Sequence, residues 1–505
     1  MAIEYGAEYN DFQLQEHYLG KHFTSSSEVF SWLAQFINLE SGLIPPKIFR
    51  LESMAALSEL AGHPDRCAPS IHVAGSKGKG SVTGMIASVL EADGRRAARY
   101  MSPHISDFRE RICLGNSFFD ESVYCAAGDE LRDLAENRVP ASKNSLFDPD
   151  SGGEAPTFFE LLTMYFFLCA RAGGCDVMVV ETGLGGRLDS TNILDPLVSI
   201  ITLIELEHTA FLGNTLAEVA GEKAGIIKSA RPLILARQSD EALEVFKKRA
   251  AEKNSPLFYY PENVSLENLE VHHGGTDFSL TLHSGVGPAP PPRAAHPTGE
   301  STEPPGSSLA FQGGNALHGL SIPIPGVVQA ENAALAVLAL RIAFPGIGSD
   351  AIRRGLEQVK IPARFEKIPA VEGDRFPLII DGAHTPESAF LCAETFCSLY
   401  GEGGLLLFAC AADKNVCAMA EILLPRFSRI IVTTPGTFKI SEPEKAYRAF
   451  AGQCNQGFEK TRYIQDTGEA IRQTLREAQE KQLPVLCMGS FYLASEVWNY
   501  VMKAA

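Results

Sequence analysis

The run Val73-Ala74-Gly75-Ser76-Lys77-Gly78-Lys79-Gly80-Ser81 follows a short apolar segment and opens an apolar helix face formed by Val82, Met85, Ile86, Val89 and Leu90. A glycine-rich turn between strand and helix aims backbone N–H groups at one point. The helix dipole adds partial positive charge there, which suits a phosphate. Gly75, Gly78 and Gly80 let the backbone come close without a Cβ in the way. Lys79 would reach the outer phosphates, and the Ser81 hydroxyl could hold Mg²⁺. The strict pattern G-x-x-x-x-G-K-[ST] is not met. Val73 stands at its first glycine, and Gly80 separates Lys79 from Ser81.

Other polar groups follow apolar runs. Glu181, in Glu181-Thr182-Gly183-Leu184-Gly185-Gly186-Arg187-Leu188-Asp189, could bind the Mg²⁺ that neutralises phosphate charge. His208 comes just after the next run, with Glu205 and Glu207, a position that suits a ligand. Ser102-Pro103-His104 precedes Arg109 and Arg111 and reads as a loop over phosphates or substrate. Lys223 sits among small and apolar neighbours, where desolvation lowers an amine pKa. Asp381-Gly382-Ala383-His384 again sets an acid and a histidine after an apolar run, the acid suited to a ribose hydroxyl and the histidine to a phosphate.

These groups need a scaffold. Residues 26–280 alternate apolar strands with amphipathic helices, as in a doubly wound α/β sheet. Strands are expected at 96–100, 176–180 and 197–204. A second α/β pattern begins near 321, with a helix at 331–344 and strands at 377–380, 405–409, 430–433 and 484–488. In such sheets ligands gather at the carboxyl ends of strands, where these acids and histidines fall. The expected boundary lies near 322–326, giving domains 1–321 and 322–505. Residues 136–157 read as a surface loop, and the proline-rich 284–308 as a disordered insertion.

The chain has 505 residues, 45% hydrophobic and 21% charged, with a formal net charge of −17. That charge disfavours nucleic acid and anionic membranes as partners, and means an anionic substrate needs a locally basic pocket. No run is long enough to span a membrane; the longest, 161–172, is interrupted by Thr163, Tyr165 and Arg171. Eleven scattered cysteines without CxxC, and no leader at the N-terminus, fit a reducing cytoplasm.

In order and spacing these runs resemble the folylpolyglutamate synthase and dihydrofolate synthase family of the Mur ligase superfamily, over nearly the whole chain. The match includes His72 to Ser81, Ser102-Pro103-His104, Pro156-Thr157-Phe158-Phe159-Glu160, Glu181 to Asp189, His208-Thr209 with Phe211-Leu212-Gly213, Glu222 to Lys228, and Asp381 to His384. The resemblance implies a Mur-ligase-like α/β fold. An N-terminal P-loop ATPase domain with a mostly parallel sheet would precede a smaller, Rossmann-like C-terminal domain, with ATP between them.

By the same resemblance, Gly75, Ser76, Lys77, Gly78, Lys79 and Gly80 would hold phosphates, and Ser81 and Glu181 one Mg²⁺. Ser102, Glu181 and His208 would surround a second Mg²⁺. Lys223 matches a lysine that the family carries as a carbamate, which turns a cation into a metal-binding anion. Gln329 and Asn332 would lie near adenine, Arg364 and His384 on phosphates, and Asp381 on ribose. The family pattern is departed from at Val328, Glu207, Thr385 and Lys77, where histidine, aspartate, asparagine and, in bacterial members, asparagine are usual. None of these removes the loop lysine or a metal ligand.

The implied reaction is ATP-dependent addition of L-glutamate to the γ-carboxylate of a folate, through an acyl phosphate. The related reaction joins glutamate to dihydropteroate, and both remain open because they share the activation machinery. The expected partners are small molecules (folate or dihydropteroate, L-glutamate and ATP), with the chain a cytoplasmic monomer. A GTPase switch is disfavoured, since Asp413-Lys414-Asn415 is not a guanine-reading N-K-x-D run. A non-catalytic folate-binding protein would not need Lys79, Glu181 and His208. A cell-wall nucleotide-peptide ligase fits the Ser-Pro-His and Gly-Leu-Gly-Gly-Arg-Leu-Asp runs less well.

Overall fold

The computed structural model describes residues 22–36, 51–139, 155–283, 315–368, 376–436, 440–452 and 455–504. The expected insertion 284–308 and most of the expected loop 136–157 lie outside them. Residues Leu134–Arg138 form a π-helical turn that prolongs the helix Glu121–Asp133, so the start of that loop is helical.

The first sheet has seven strands: β1 (Ser70–Ala74), β2 (Ala97–Tyr100), β3 (Ile112–Leu114), β4 (Val177–Glu181), β5 (Val198–Ile201), β6 (Leu233–Leu235) and β7 (Leu257–Tyr259), in the order β3-β2-β4-β1-β5-β6-β7. All pairs are parallel except β2 with β3. Both faces of the central strands are covered. Ile71, Val73, Val177 and Val179 join one core cluster, and Met178 and Val180 join another on the opposite face. That double burial is why these strands read as unbroken apolar runs. A three-stranded antiparallel sheet comes next, β8 (Val264–His272), β9 (Gly275–Leu282) and β10 (Ala316–Ile322).

The helix after the phosphate loop, α1 (Lys79–Ala92), is buried from Gly80 to Leu90. Two later helices pack on it, α2 (Val327–Ala343) and α3 (Ser349–Glu357). Contact is close because glycines face it: a Cβ on Gly355 would lie 2.3 Å from the Val89 Cα, and one on Gly84 would lie 3.1 Å from Ile361. Ser88 Oγ donates to the Gly355 carbonyl at 2.5 Å. So α2 and α3 pack as part of the first domain, and the second sheet begins only at Glu366. The expected boundary near 322–326 rests on the second α/β pattern that begins near 321, just after the proline-rich insertion, with a helix whose face is rich in alanine and leucine. The face is buried nearly all round, which marks an interior helix rather than an opening one.

The second sheet holds six strands: β11 (Glu366–Ile368), β12 (Leu378–Ile380), β13 (Gly404–Phe408), β14 (Phe427–Val432), β15 (Thr461–Tyr463) and β16 (Val485–Met488), in the order β11-β12-β16-β13-β14-β15. Only β11 is antiparallel. Because β12 and β16 are neighbours, the loop after Ile380 lies beside Phe491, the first residue of α4 (Phe491–Ala504). One residue of the first domain enters the second domain's core. Ile105, 4% exposed, clusters with Leu378, Ile380, Leu405 and Leu493, and its carbonyl accepts from Ser495 Oγ.

Candidate functional site

Gly75 follows β1 at φ +144, and a Cβ there would lie 1.8 Å from Thr202 Oγ1 at the end of β5. Only glycine lets these strand ends meet. The Ser76 and Lys77 amides both donate to the Leu203 carbonyl, at 2.9 and 3.1 Å. Those two N–H groups tie the loop to the end of β5, so the amides left free to meet an anion are those at the start of α1. Ser76 Oγ is spent on the Glu205 carbonyl at 3.1 Å. Gly78 caps α1 at φ +87, and a Cβ on it would lie 2.5 Å from Asn332 Oδ1. The start of α2, with Asn332 bonded to Gln329 at 3.2 Å, is thereby held against the loop. Lys79 Nζ donates to the Gly75 carbonyl at 3.0 Å and lies 3.9 Å from Glu181.

Glu181 ends β4 and is 4% exposed. Burial raises its carboxyl pKa, opposed by Lys79 and by the Ser102 amide, which donates to Oε2 at 3.3 Å. A Cβ on Gly80 would approach the same oxygen at 3.4 Å. A buried carboxylate met by one amide at 3.3 Å and, among the described residues, by no cation closer than an ammonium at 3.9 Å is a site that would accept a cation. The Ser102–Pro103 peptide is cis. His104 Nδ1 accepts from Arg111 Nε at 2.9 Å, and Arg109 pairs with Asp107 at 2.7 Å and Glu121 at 2.8 Å. His208 adopts a left-handed conformation at φ 47 before the short helix Thr209–Leu212.

Lys223 is 1% exposed. Its Nζ donates to the Gly75 carbonyl at 2.8 Å and to Glu207 Oε1 at 3.0 Å. Burial lowers the amine pKa and Glu207 opposes it. Burial alone would raise the Glu207 carboxyl, but Lys223, Lys79 and Lys77 hold it well below the usual range.

The second domain faces this loop across the interface. Arg364 lies between two left-handed residues, Ala363 at φ 50 and Phe365 at φ 45. Asp381 secures that turn: Oδ2 accepts from the Phe365 amide and Oδ1 from the Ala383 amide, both at 2.7 Å. A ribose contact would have to use its remaining lone pairs. His384 Nδ1 bonds the Gly382 carbonyl at 2.7 Å, leaving Nε2 as an acceptor 3.3 Å from Lys77 Nζ. Burial, with Lys77 beside it, pushes the His384 pKa well down, so the ring is neutral. Burial also pushes Lys77 down to about 8, opposed by Glu207 and Glu205. Thr385 Oγ1 donates to Glu205 Oε2 at 2.9 Å and also caps the helix Pro386–Tyr400.

The sequence-selected loop residues, Glu181, Lys223, Asp381 and His384 therefore meet at one interface between strand ends. Among the described residues no group of three or more His, Cys, Asp or Glu is arranged as a metal cluster. Sequence reasoning passed over Phe491. Its signal was the familiar one, a residue just after the apolar run of β16.

The Mur ligase middle domain family matches residues 151–340, and the Mur ligase glutamate ligase domain family matches residues 363–491. The chain is 30% identical over 398 residues to the dihydrofolate synthase/folylpolyglutamate synthase of Bacillus subtilis, covering 78% of this chain and 81% of that one. Its fold is similar to Mycobacterium tuberculosis folylpolyglutamate synthase complexed with ADP, with a TM-score of 0.77 and 26% identity over 94% of this chain and 97% of that one. It is also similar to an FPGS–AMPPCP–folate complex, with a TM-score of 0.73 and 25% identity over 95% of this chain and all of that one (100%).

Proposed function

The chain belongs to the folylpolyglutamate synthase/dihydrofolate synthase family of Mur ligases, and from that premise we propose that it joins L-glutamate to a folate-type carboxylate at the expense of ATP. The observation that carries this reading is the meeting of the phosphate loop with the second domain's strand ends, through Lys77 and His384 at 3.3 Å.

A carboxylate is a poor electrophile near neutral pH. Transfer of a phosphoryl group from ATP to the substrate carboxylate gives an acyl phosphate and ADP. The glutamate amine then attacks the acyl carbon to form the C–N bond and gives up a proton, and the C–O bond to phosphate breaks with its electron pair leaving on inorganic phosphate. The protein's work is to position the reactants and offset charge. The α1 amides, Lys79 and Lys77 cradle the phosphates from one domain, and Arg364 meets them from the other. Gln329 and Asn332 face adenine, and Asp381 ribose. Closing two domains over the reacting atoms keeps water from the acyl phosphate.

The donor set fits Mg²⁺. Ser81 and the buried Glu181 offer one hydroxyl and one carboxylate beside the phosphate cradle, and Mg²⁺ in nucleotide sites takes few protein ligands. Mg²⁺ held there would neutralise phosphate charge. Ser102, whose amide already meets Glu181, and His208 are the candidates for a second ion. A carbamate on Lys223 fits less well. The amine donates to two acceptors, and a carbamate oxygen in its place would face Glu207. The Gly75 carbonyl and the Glu207 carboxylate as arranged suit an ammonium.

Small-molecule work agrees with a formal charge of −17 on a chain whose cleft is rich in lysine. No helix among the described residues is long and apolar enough to cross a membrane. The cysteines described are free, which supports a reducing, cytoplasmic setting, and we take the monomer as the working unit.

The test is phosphate release from ATP with glutamate present, comparing dihydropteroate, tetrahydrofolate and no acceptor. Release with tetrahydrofolate alone identifies a dedicated polyglutamate synthase. Release with dihydropteroate alone identifies a dihydrofolate synthase, and release with both a bifunctional enzyme. Release with neither acceptor overturns the proposal.

A further inference from the structure

Phe491 touches three parts of the second domain's face at once. The Arg364 guanidinium lies over its ring, with Cζ 4.7 Å from the centroid. The His384 ring lies 6.0 Å away, tilted by 56°. A Cβ on Gly382 would come within 2.2 Å of Phe491 Cε1, so the ring fills the space that glycine leaves.

Arg364 is placed at a cost. A bulky residue at φ 45, close to an alanine at φ 50, is backbone that persists only where the surroundings enforce it. The enforcing bonds are those of Asp381 to the Phe365 amide at 2.7 Å, Glu366 to the Ala363 amide at 2.8 Å, and the Gly382 amide to the Ala363 carbonyl at 2.9 Å. Yet the guanidinium forms no ion pair among the described residues. Its charge is felt at Glu181 and at Lys77, across the interface. An aromatic face can hold a guanidinium in place without consuming its five N–H donors, whereas a carboxylate would occupy and neutralise them.

We propose that Phe491 is the positioning residue that holds Arg364, with its donors uncommitted, against the phosphate loop. This deepens the ligase reading and rests on it, since the anion to be met is the phosphate chain of ATP. The role assigned to Phe491 runs through Arg364, which its ring holds. The ring face supplies the hold, which gives a distinction that volume alone cannot mimic: tyrosine keeps the face, and leucine or methionine does not.

The experiment measures AMPPCP binding by calorimetry in the full chain for wild type, Phe491→Leu, Phe491→Tyr, Arg364→Ala and the double variant F491L/R364A. Thermal melts confirm that each is folded. Phe491→Met replaces Phe491→Leu if that variant does not fold. The expected result is about tenfold weaker binding for Phe491→Leu, near wild-type binding for Phe491→Tyr, and a double variant no weaker than Arg364→Ala. The proposal is overturned if leucine binds like wild type, if tyrosine loses as much as leucine, or if the two losses add in full. Absence of AMPPCP binding in wild type would instead remove the nucleotide reading beneath it.

Discussion

Lys77 Nζ and His384 Nε2, 3.3 Å apart, belong to different domains. The Gly382 carbonyl fixes the His384 tautomer from Nδ1, so Nε2 can only accept, and the lysine is the donor. The contact between the domains therefore sets an ammonium, rather than an imidazolium, beside the glycine-rich loop.

That ammonium sets a pH limit. Lys77 is pushed down to about 8 by burial, with Glu207 and Glu205 opposing and Lys79 and Arg364 assisting. It is charged below that pH and neutral above it, while His384 stays neutral throughout. We expect kcat/KM for ATP to fall as pH rises through about 8, and Lys77→Asn to lower the plateau and remove that limb. An unchanged alkaline limb in the variant would assign it to another group.

Lys79 lies at the start of α1, with its side chain 16% exposed and 3.0 Å from the Gly75 carbonyl. Lys79→Ala should cut kcat by about 10² to 10³, the scale for removing one preorganised charge contact. The circular dichroism spectrum should not change. Turnover at the wild-type rate would remove its phosphate role.

Glu207 and Glu181 are both buried, but only Glu207 has a close ionic partner, Lys223 at 3.0 Å, against 3.9 Å from Glu181 to Lys79. Glu207→Gln leaves Lys223 buried without its counter-charge, a loss of about 3 to 5 kcal/mol that a thermal melt reads as a drop of several degrees. Glu181→Gln removes a carboxylate that burial already disfavours. It should leave the melt nearly unchanged and raise the Mg²⁺ concentration needed for half-maximal rate. Equal melting losses in the two variants would contradict this contrast.

Ile105 carries the Ser102 loop into the second domain's core. Ile105→Ala removes methyl groups that only a closed interface buries, at about 2 to 5 kcal/mol. The expected outcome is a lower kcat and a higher Mg²⁺ requirement, with Ile105→Val close to wild type. A variant that melts earlier but keeps its Mg²⁺ requirement would limit Ile105 to packing.

Strand ends and glycine turns were legible because their causes are local. A strand buried on both faces must be an apolar run, and the loop at its carboxyl end sits at the sheet edge where ligands bind. The expected strands at 176–180, 405–409 and 484–488 fall within a residue or so of β4, β13 and β16. The boundary was not legible, because whether α2 faces a new sheet or the back of α1 depends on its partner, not on its own composition.

The sequence by itself determined the glycine-rich loop between β1 and α1, the acids and histidines after the strands, and the order of motifs that marks the family, since each is a matter of residue type and spacing. Tertiary structure alone decided the pairings. Glu207 meets Lys223 because β5 ends beside the helix Leu216–Lys223. Phe491 lies under Arg364 because β12 and β16 are neighbours in the second sheet, though more than a hundred residues separate them. Long-range contacts leave no periodicity in a chain, and only the packing of the two sheets brings such residues within hydrogen-bonding or van der Waals reach.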